Sequence, residues 1–221
     1  MITHHIQKDI FIRLGKASHL RFSELKPDGM ESNLFMYHLK QLMAIKFVEK
    51  DAQGYRLAPA GLTYLDSFSF RTNTPRKQPK IISILALKNH DGQWLLAQRK
   101  YQPYIGEYMF VSGKQRFGEQ PETHALREMQ EKLGFTTPLV RRGLLDIRIS
   151  KDETLITHVL GHVYEGTLDM SAPPDETRQF SFIWEDPSNP ELHVLPGTRE
   201  LHDRLLNSPE LFFLSLDAQD N

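Results

Sequence analysis

Residues 113–135, GKQRFGEQPETHALREMQEKLGF, decide how the second half of this chain folds. Pro121 suits the first turn of a helix, where its missing N–H has no intrahelical partner, and Gln120 can cap that helix. Gly134 supplies a stop signal. Four apolar residues recur at helical spacing and predict the buried side of the helix: Ala125, Leu126, Met129 and Leu133.

Two carboxylates of this helix, Glu128 and Glu131, are three residues apart. That spacing places them one turn apart on what we expect to be the exposed face. Hard divalent cations prefer oxygen ligands of this kind. The stretch therefore predicts a loop that leads into a short acidic helix with a candidate cation site.

The spacing of the fixed residues resembles the Nudix box of the nucleoside-diphosphate-X hydrolases. The match runs from Gly113 through Glu119 to the segment REMQEKLGF that starts at Arg127, and it satisfies seven of eight fixed positions. The resemblance implies hydrolysis of a diphosphate linkage by metal-activated water, with Mg²⁺ or Mn²⁺ held by the helix. It implies Glu128 as ligand or base, Glu131 as ligand, and the Gly113 carbonyl as a further metal contact.

One fixed position departs from the family, because Lys132 stands where a second glutamate usually bridges the metal. Lys132 follows Glu128 by four residues, the spacing of an ion pair on one helix face. The change replaces a negative charge with a positive one, so we expect metal binding to be severely weakened. In the alternative, Lys132 turns outward and a downstream acid completes the metal shell. The candidates are Asp152, Glu153 and Glu176.

Length and composition indicate a soluble chain large enough for two modest domains, with 221 residues, 39% hydrophobic and 25% charged. No apolar run approaches the length of a membrane span, and the first residues lack the pattern of a secretory signal. We therefore expect a cytoplasmic protein without membrane contact. The absence of cysteine excludes disulfides and thiolate catalysis.

The charge is unevenly distributed along the chain. Residues 1–80 carry 13 Lys and Arg against 7 Asp and Glu, whereas residues 81–221 carry 14 against 21. A basic first part beside an acidic second part indicates that the first part meets a polyanion.

The first seventy residues predict three helices, then a two-stranded ribbon and a closing helix. Ile6, Ile10, Phe11 and Leu14 recur at helical spacing. A short helix is expected over residues 22–26. A third helix over residues 32–44 is expected to be capped by Ser32 and to bury Leu34, Leu39 and Leu42 or close neighbours. Strands over residues 45–49 and 55–57 flank a turn, and Pro59 begins the last helix.

This pattern, carried by the segment FMYHLKQLMAIKFVEKDAQGYRLAPAGLTYL over residues 35–65, resembles the winged helix-turn-helix of small bacterial and archaeal transcription regulators. The resemblance implies that the third helix enters the major groove of DNA. The candidate residues on its first turns are Ser32, Asn33, Phe35, Met36 and Lys40. Lys46, Lys50 and Arg56 are candidates for backbone contacts. The alternative is a dimerisation or protein-binding module.

The predicted architecture is α/β of the α+β kind: a winged helix-turn-helix over residues 1–70, an exposed linker over residues 71–80, and a Nudix α/β/α sandwich with a mixed sheet over residues 81–221. Strands are expected over residues 81–87, 94–98, 139–149, 154–164 and 180–184, and a covering helix over residues 196–206. Candidate ligand contacts are Arg99 at the end of the second of these strands, Lys114 and Arg127. The other interpretations of Arg99 are a solvated strand end or a partner for a box carboxylate.

Two functions follow from these patterns. The first is a ligand-sensing, DNA-binding transcription regulator, a homodimer that binds a nucleoside-diphosphate-linked metabolite. It is similar in parts to Nudix-related transcription regulators, with the order of the two domains reversed. The alternative is an active, metal-dependent Nudix hydrolase of a nucleoside diphosphate-X substrate, in which the first domain is a dimerisation or accessory domain.

Overall fold

The computed structural model describes residue 2, residues 4–69, residue 72 and residues 74–220. The chain divides into two compact units, Met1–Lys77 and Gln78–Asn221. Among the described residues, every helix is too short or too polar to span a lipid bilayer.

Within its described residues, the first unit contains four helices and a short antiparallel ribbon. Its elements are α1 (His5–Leu14), α2 (Phe22–Leu25), α3 (Ser32–Ala44), β1 (Val48–Lys50), β2 (Tyr55–Leu57) and α4 (Pro59–Asp66). β1 and β2 pair with Glu49 opposite Arg56. The apolar stripe predicted for α1 is buried together with Phe35, Leu39 and Leu42 of α3.

Two details of α3 differ from the sequence-based expectation. Leu34 is 44% exposed, whereas Phe35 is fully buried and packs edge-on against Phe22 with ring centroids 5.4 Å apart. Phe35 therefore cannot face DNA, and that prediction is wrong. Ser32 lies inside the helix; the residue before it is Glu31, and no side chain caps this end.

The linker over residues 71–80 stays a prediction, but three of its residues, Thr74, Pro75 and Lys80, lie in β-strands. β3 (Phe68–Ser69) pairs with β4 (Thr74–Pro75), and Lys80 is the first residue of the next strand. Lys80 therefore belongs to the sheet of the second unit.

The second unit is a mixed sheet with helices on both sides. Its elements are β5 (Lys80–Lys88), β6 (Trp94–Arg99), β7 (Tyr108–Lys114), α5 (Pro121–Leu133), β8 (Val140–Lys151), β9 (Thr154–Thr167), β10 (Phe180–Glu185), α6 (Thr198–Asn207) and β11 (Phe212–Gln219). The strand order is β10-β6-β7-β5-β9-β8-β11. The β5–β9 and β8–β11 pairs are parallel and the others antiparallel. The predicted α+β class is confirmed.

Alternate residues of β5 face two separate cores. Leu85 and Leu87 pack in the cluster that contains Ala125 and Met129 of α5. Ile84 and Ala86 pack in the cluster that contains the leucines of α6. Because side chains of a strand alternate between the two faces of a sheet, α5 and α6 cover opposite faces.

Several elements and side chains of this unit differ from expectation. The patterns did not predict β7 or β11. Leu126, which was predicted to be buried, is 42% exposed. In α5 the buried positions include His124 and Glu128, so Glu128 does not lie on an exposed face. Gln120 precedes α5 but its side chain makes no capping hydrogen bond.

Candidate ligand-binding site

The site begins where β7 passes close to α5. A Cβ atom at Gly113 would lie 1.7 Å from Oε2 of Glu128, which is much shorter than any non-bonded contact. Glycine therefore allows the strand to approach the helix. The carboxylate of Glu128 lies directly beside the loop that joins the two elements.

Arg127 is the centre of an ion-pair network among the box carboxylates. Its Nε and Nη2 donate to the two carboxylate oxygens of Glu119 at 2.7 and 2.8 Å. Its Nη1 donates to Glu128 at 2.7 Å and to Glu131 at 3.0 Å. The hydrogen bonds from Arg127 lower the pKa of Glu119 to about 2. Arg127 is thus bound to three carboxylates of its own chain.

Lys132 neutralises the other side of Glu128. Its Nζ donates to Oε2 of Glu128, and the two side chains are only 14% and 7% exposed. Burial acts to raise the pKa of Glu128, but hydrogen bonds and charge from Lys132 and Arg127 lower it overall. Glu128 is therefore ionised, and two cations of its own helix neutralise it.

A buried histidine lies next to the same carboxylate. Nδ1 of His124 is 2.8 Å from Oγ of Ser83, and Nε2 is 3.5 Å from Oε1 of Glu128. His124 is fully buried, and burial lowers its pKa. At neutral pH it is uncharged and adds no further cation to the cluster.

A divalent cation does not fit this arrangement of box side chains. Glu119, Glu128 and Glu131 are all ion-paired, and Arg116 also binds Glu131 at 2.9 Å. The ammonium of Lys132 contacts Oε2 of Glu128 and Arg127 contacts Oε1, so both oxygens of this carboxylate accept from cations. Within the described ranges, no group of three or more acidic or histidine side chains is arranged to hold a metal ion.

The proposed downstream replacements do not join the cluster. Glu176 binds Lys100 at 2.8 Å. Asp152 and Glu153 form the turn between β8 and β9. None of the three lines the cleft above the box helix. The alternative in which Lys132 turns outward is also not seen, because Lys132 faces Glu128.

The box helix forms one wall of a cleft of about 680 Å³ within the second unit. This volume lies in the range that accommodates small metabolites. Six basic side chains line it: Lys80, Arg99, Lys114, Arg116, Arg127 and Lys132. Tyr101, Tyr104 and Phe180 add aromatic surface, while the carboxylates on its wall, Glu128 and Glu131, are already paired.

The structure brings the predicted ligand and metal residues of the second unit together. Gly113, Glu128, Glu131, Arg99, Lys114 and Arg127 all line this one cleft. Their roles remain predictions. Sequence reasoning missed Lys80, which it placed in the linker; the signal was its position directly before the apolar run that forms β5.

The candidate DNA-binding residues lie in the first unit. Ser32, Asn33, Lys40, Lys46, Lys50 and Arg56 are exposed, and Met36 is half-buried. Arg56 is ion-paired with Glu49 and Asp51 on the ribbon. Their contacts with DNA remain predictions.

A mixed sheet between two helices, with a glycine-led loop that enters an acidic helix, defines a Nudix-type domain. A sequence model of the NUDIX domain matches residues 77–205, more than half of the chain. The chain therefore belongs to the Nudix family.

Comparisons with individual proteins agree with this assignment. An isopentenyl-diphosphate Delta-isomerase from Serratia proteamaculans (strain 568) is 27% identical over 124 residues, which cover 55% of this chain and 63% of that relative. The chain thus spans less than two thirds of that relative.

Two solved structures share the fold. The mutator MutT protein of Bacillus halodurans has a TM-score of 0.51 and 19% identity, covering 62% of this chain and 89% of its own. The NUDIX domain of Shewanella oneidensis NrtR, complexed with ADP ribose, has a TM-score of 0.50 and 18% identity, covering 66% of this chain and 96% of its own.

Proposed function

We propose that this protein is a ligand-sensing transcription regulator. In this proposal the second unit binds a nucleoside-diphosphate-linked metabolite, and the first unit is a winged helix-turn-helix that binds DNA as part of a homodimer. Binding of the metabolite changes the affinity for DNA.

The observation that carries the proposal is the pair of cations on Glu128. Each oxygen of this nearly buried carboxylate already accepts from a cation, Oε1 from Arg127 and Oε2 from Lys132, so a metal ion would have to displace one of them. The cleft beside it remains open and basic. Such a site favours recognition of an anionic metabolite over its hydrolysis.

The class of ligand is supported by the chemistry of the cleft and by one structural relative. Basic side chains suit phosphate groups, and aromatic side chains suit the face of a base or sugar. The NUDIX domain of NrtR has the same fold and is complexed with ADP ribose. ADP-ribose is therefore the first compound to test.

The proposal for the first unit depends on its element order and surface. α2, α3 and the β1–β2 ribbon follow the order of a winged helix-turn-helix. The residues proposed to contact DNA include two exposed lysines, Lys40 on α3 and Lys46 two residues after the end of α3. The balance of 13 basic against 7 acidic residues in residues 1–80 favours a polyanionic partner.

A hydrolysis assay separates sensing from cleavage. We expect the parent chain, with Mg²⁺ or Mn²⁺, to cleave ADP-ribose and a panel of nucleoside diphosphate sugars far more slowly than about 1 per second. Lys132→Glu removes the ammonium from Glu128 and restores a carboxylate. We expect it to raise the rate at least about tenfold, because transition-state charge is then stabilised by a metal.

The matched control is Lys100→Glu, which makes the same charge change at a lysine that is paired with Glu176 and does not line the cleft. Its rate should equal that of the parent. Turnover of about 1 per second or faster by the parent would contradict the sensor proposal.

DNA binding by the first unit is tested by its salt dependence. We expect the logarithm of the affinity for duplex DNA to fall linearly with the logarithm of salt concentration, and Lys40→Met or Lys46→Met to reduce that slope by about 1 each. Lys100→Met should leave the slope unchanged. An affinity that does not change between low and moderate salt would contradict DNA contact.

The second candidate function is metal-dependent hydrolysis of a nucleoside diphosphate-X substrate, with the first unit as an accessory or dimerisation domain. The observation that favours it is the close approach of Gly113 to Glu128, which keeps the carboxylate beside the loop as a working box would require. The assay on the parent chain decides between the two.

A further inference from the structure

The six basic side chains of the cleft fall into two groups. Arg116, Arg127 and Lys132 are ion-paired with the box carboxylates Glu119, Glu128 and Glu131. Lys80, Arg99 and Lys114 make no ion pair within the described part of the chain. The second group is therefore the part of the cleft whose positive charge is not neutralised.

The register of the sheet places Lys80 and Lys114 together. Lys114 pairs with Ile82 across the β5–β7 ladder, and Ile82 is two residues after Lys80. Because residues two apart in a strand share a face, both lysines project from the same face at neighbouring positions. Neither ammonium donates a hydrogen bond to any residue that the structure describes.

Arg99 adds a third charge at the end of β6. Its Nε donates to the carbonyl of Pro103 at 2.8 Å, which fixes the side chain and leaves the other N–H groups of the guanidinium free among the described residues. Partial desolvation by the cleft and then the charges of Lys114 and Arg99 lower the pKa of Lys80, although its side chain reaches solvent. Lys80 is thus close enough to both cations for their charges to act on it.

Carboxylates near the three cations do not neutralise them. Glu107 acts on Arg99 at a distance without an ion pair, and burial outweighs its effect on the pKa of Arg99. The box carboxylates in the same cleft are already bound to Arg116, Arg127 and Lys132. Like charges that converge without a counterion are relieved by a multiply charged anion.

We propose that Lys80, Arg99 and Lys114 bind the phosphate groups of the ligand directly, so that anion recognition in this cleft needs no divalent cation. This inference rests on the proposed ligand-binding role of the second unit. It assigns phosphate recognition to the strands β5, β6 and β7, whereas Arg127 acts as a positioning residue that holds Glu119, Glu128 and Glu131. The ligand chemistry is a diphosphate, alone or linked to an organic group.

The test is calorimetric titration of the full chain with inorganic pyrophosphate and with ADP-ribose, each in EDTA and in Mg²⁺. Pyrophosphate tests the phosphate groups alone, and ADP-ribose adds the organic groups. We expect both to bind in EDTA, and Mg²⁺ to tighten binding by less than tenfold. If ADP-ribose binds more tightly than pyrophosphate, the ligand is an organic diphosphate. If the two bind equally, the ligand is pyrophosphate itself. Both results support direct binding of the phosphate groups.

Lys80→Met and Lys114→Met remove the charge and keep an unbranched side chain of similar length. Each should weaken binding of both probes in EDTA by about tenfold or more, the cost of losing a charge-assisted hydrogen bond. Lys100→Met is the matched control outside the cleft and should bind as the parent does. Both cleft lysines are exposed, so the variants should fold, and unchanged melting temperatures check this.

Three results would overturn the inference: binding that appears only with Mg²⁺, no binding of either probe in either buffer, or equal affinities for Lys80→Met, Lys114→Met and Lys100→Met. Failure of the regulator proposal has a different signature. Rapid cleavage of ADP-ribose or salt-independent DNA affinity would end that proposal, even with pyrophosphate bound tightly in EDTA.

Discussion

At the scale of single residues, the site depends on how closely Gly113 and Glu128 approach each other. The carboxylate of Glu128 occupies the space that any side chain at position 113 would need. Glu128 cannot move away easily, because Lys132 and Arg127 hold its two oxygens. Glycine at this position is therefore a packing requirement of the ion-paired cluster.

Gly113→Ala should destabilise the second unit. We expect a loss of about 1–3 kcal/mol, the usual cost of overpacking a well-filled site. The free energy of unfolding is measured by urea denaturation with a signal that reports the unfolding of the second unit. The control is a double-mutant cycle with Glu128→Ala, which removes the clashing carboxylate. If Gly113→Ala costs as much in the Glu128→Ala background as in the parent, the contact is not the cause.

The identity of Lys132 was sufficient to predict its contact with Glu128, because a spacing of four residues on a helix brings two side chains together. Sequence could not show that Glu128 is buried. That burial requires the glycine of β7 to meet the helix, and the contact joins residues that only the fold brings together. For the same reason sequence could not show that Arg127 is bound to three carboxylates at once.

At the scale of elements, the helix limits were predicted accurately where a start residue such as Pro121 and a stop residue such as Gly134 mark the helix. α5 extends over Pro121–Leu133, and Gly134 follows it with a positive φ of 81°, the left-handed conformation that suits glycine at a helix end. Long strands with alternating apolar residues, β8 and β9, were also predicted. Their pattern of burial follows the period of two that a half-buried strand requires.

Two strands, β7 and β11, were missed for different reasons. β7 contains Ser112 and Gly113 near its end and was assigned in part to a loop. It forms a strand because β5 and β6 provide partners for its backbone groups. β11 alternates apolar and polar residues from Leu214 to Gln219, which is a strand signal that the sequence analysis did not use. Its parallel partner, β8, is distant in sequence, so no turn signal marked the pairing.

At the scale of the whole molecule, the charge balance and the fold divide the chain in the same way. The basic excess lies in residues 1–80 and the acidic excess in residues 81–221, while the contacts divide the chain at Lys77 and Gln78. The acidic second unit nevertheless contains a cleft with unpaired cations. The net charge of the second unit therefore does not indicate the charge of its cleft, and the polyanionic partner of the first unit stays a prediction.

A regulator must couple its two binding events, and that coupling is reciprocal. The DNA used is a fragment selected from random duplexes for binding to the protein. If ADP-ribose changes the affinity of the protein for this DNA by some factor, the DNA must change the affinity for ADP-ribose by the same factor. We expect a factor of about 5–150, measured by titrating each ligand with and without the other. Lys80→Met should bind DNA as tightly as the parent does. At an ADP-ribose concentration that saturates the parent, however, the affinity of this variant for DNA should not change. An affinity for DNA that saturating ADP-ribose leaves unchanged in the parent would mean that the two units bind independently, and the sensing proposal would then be wrong.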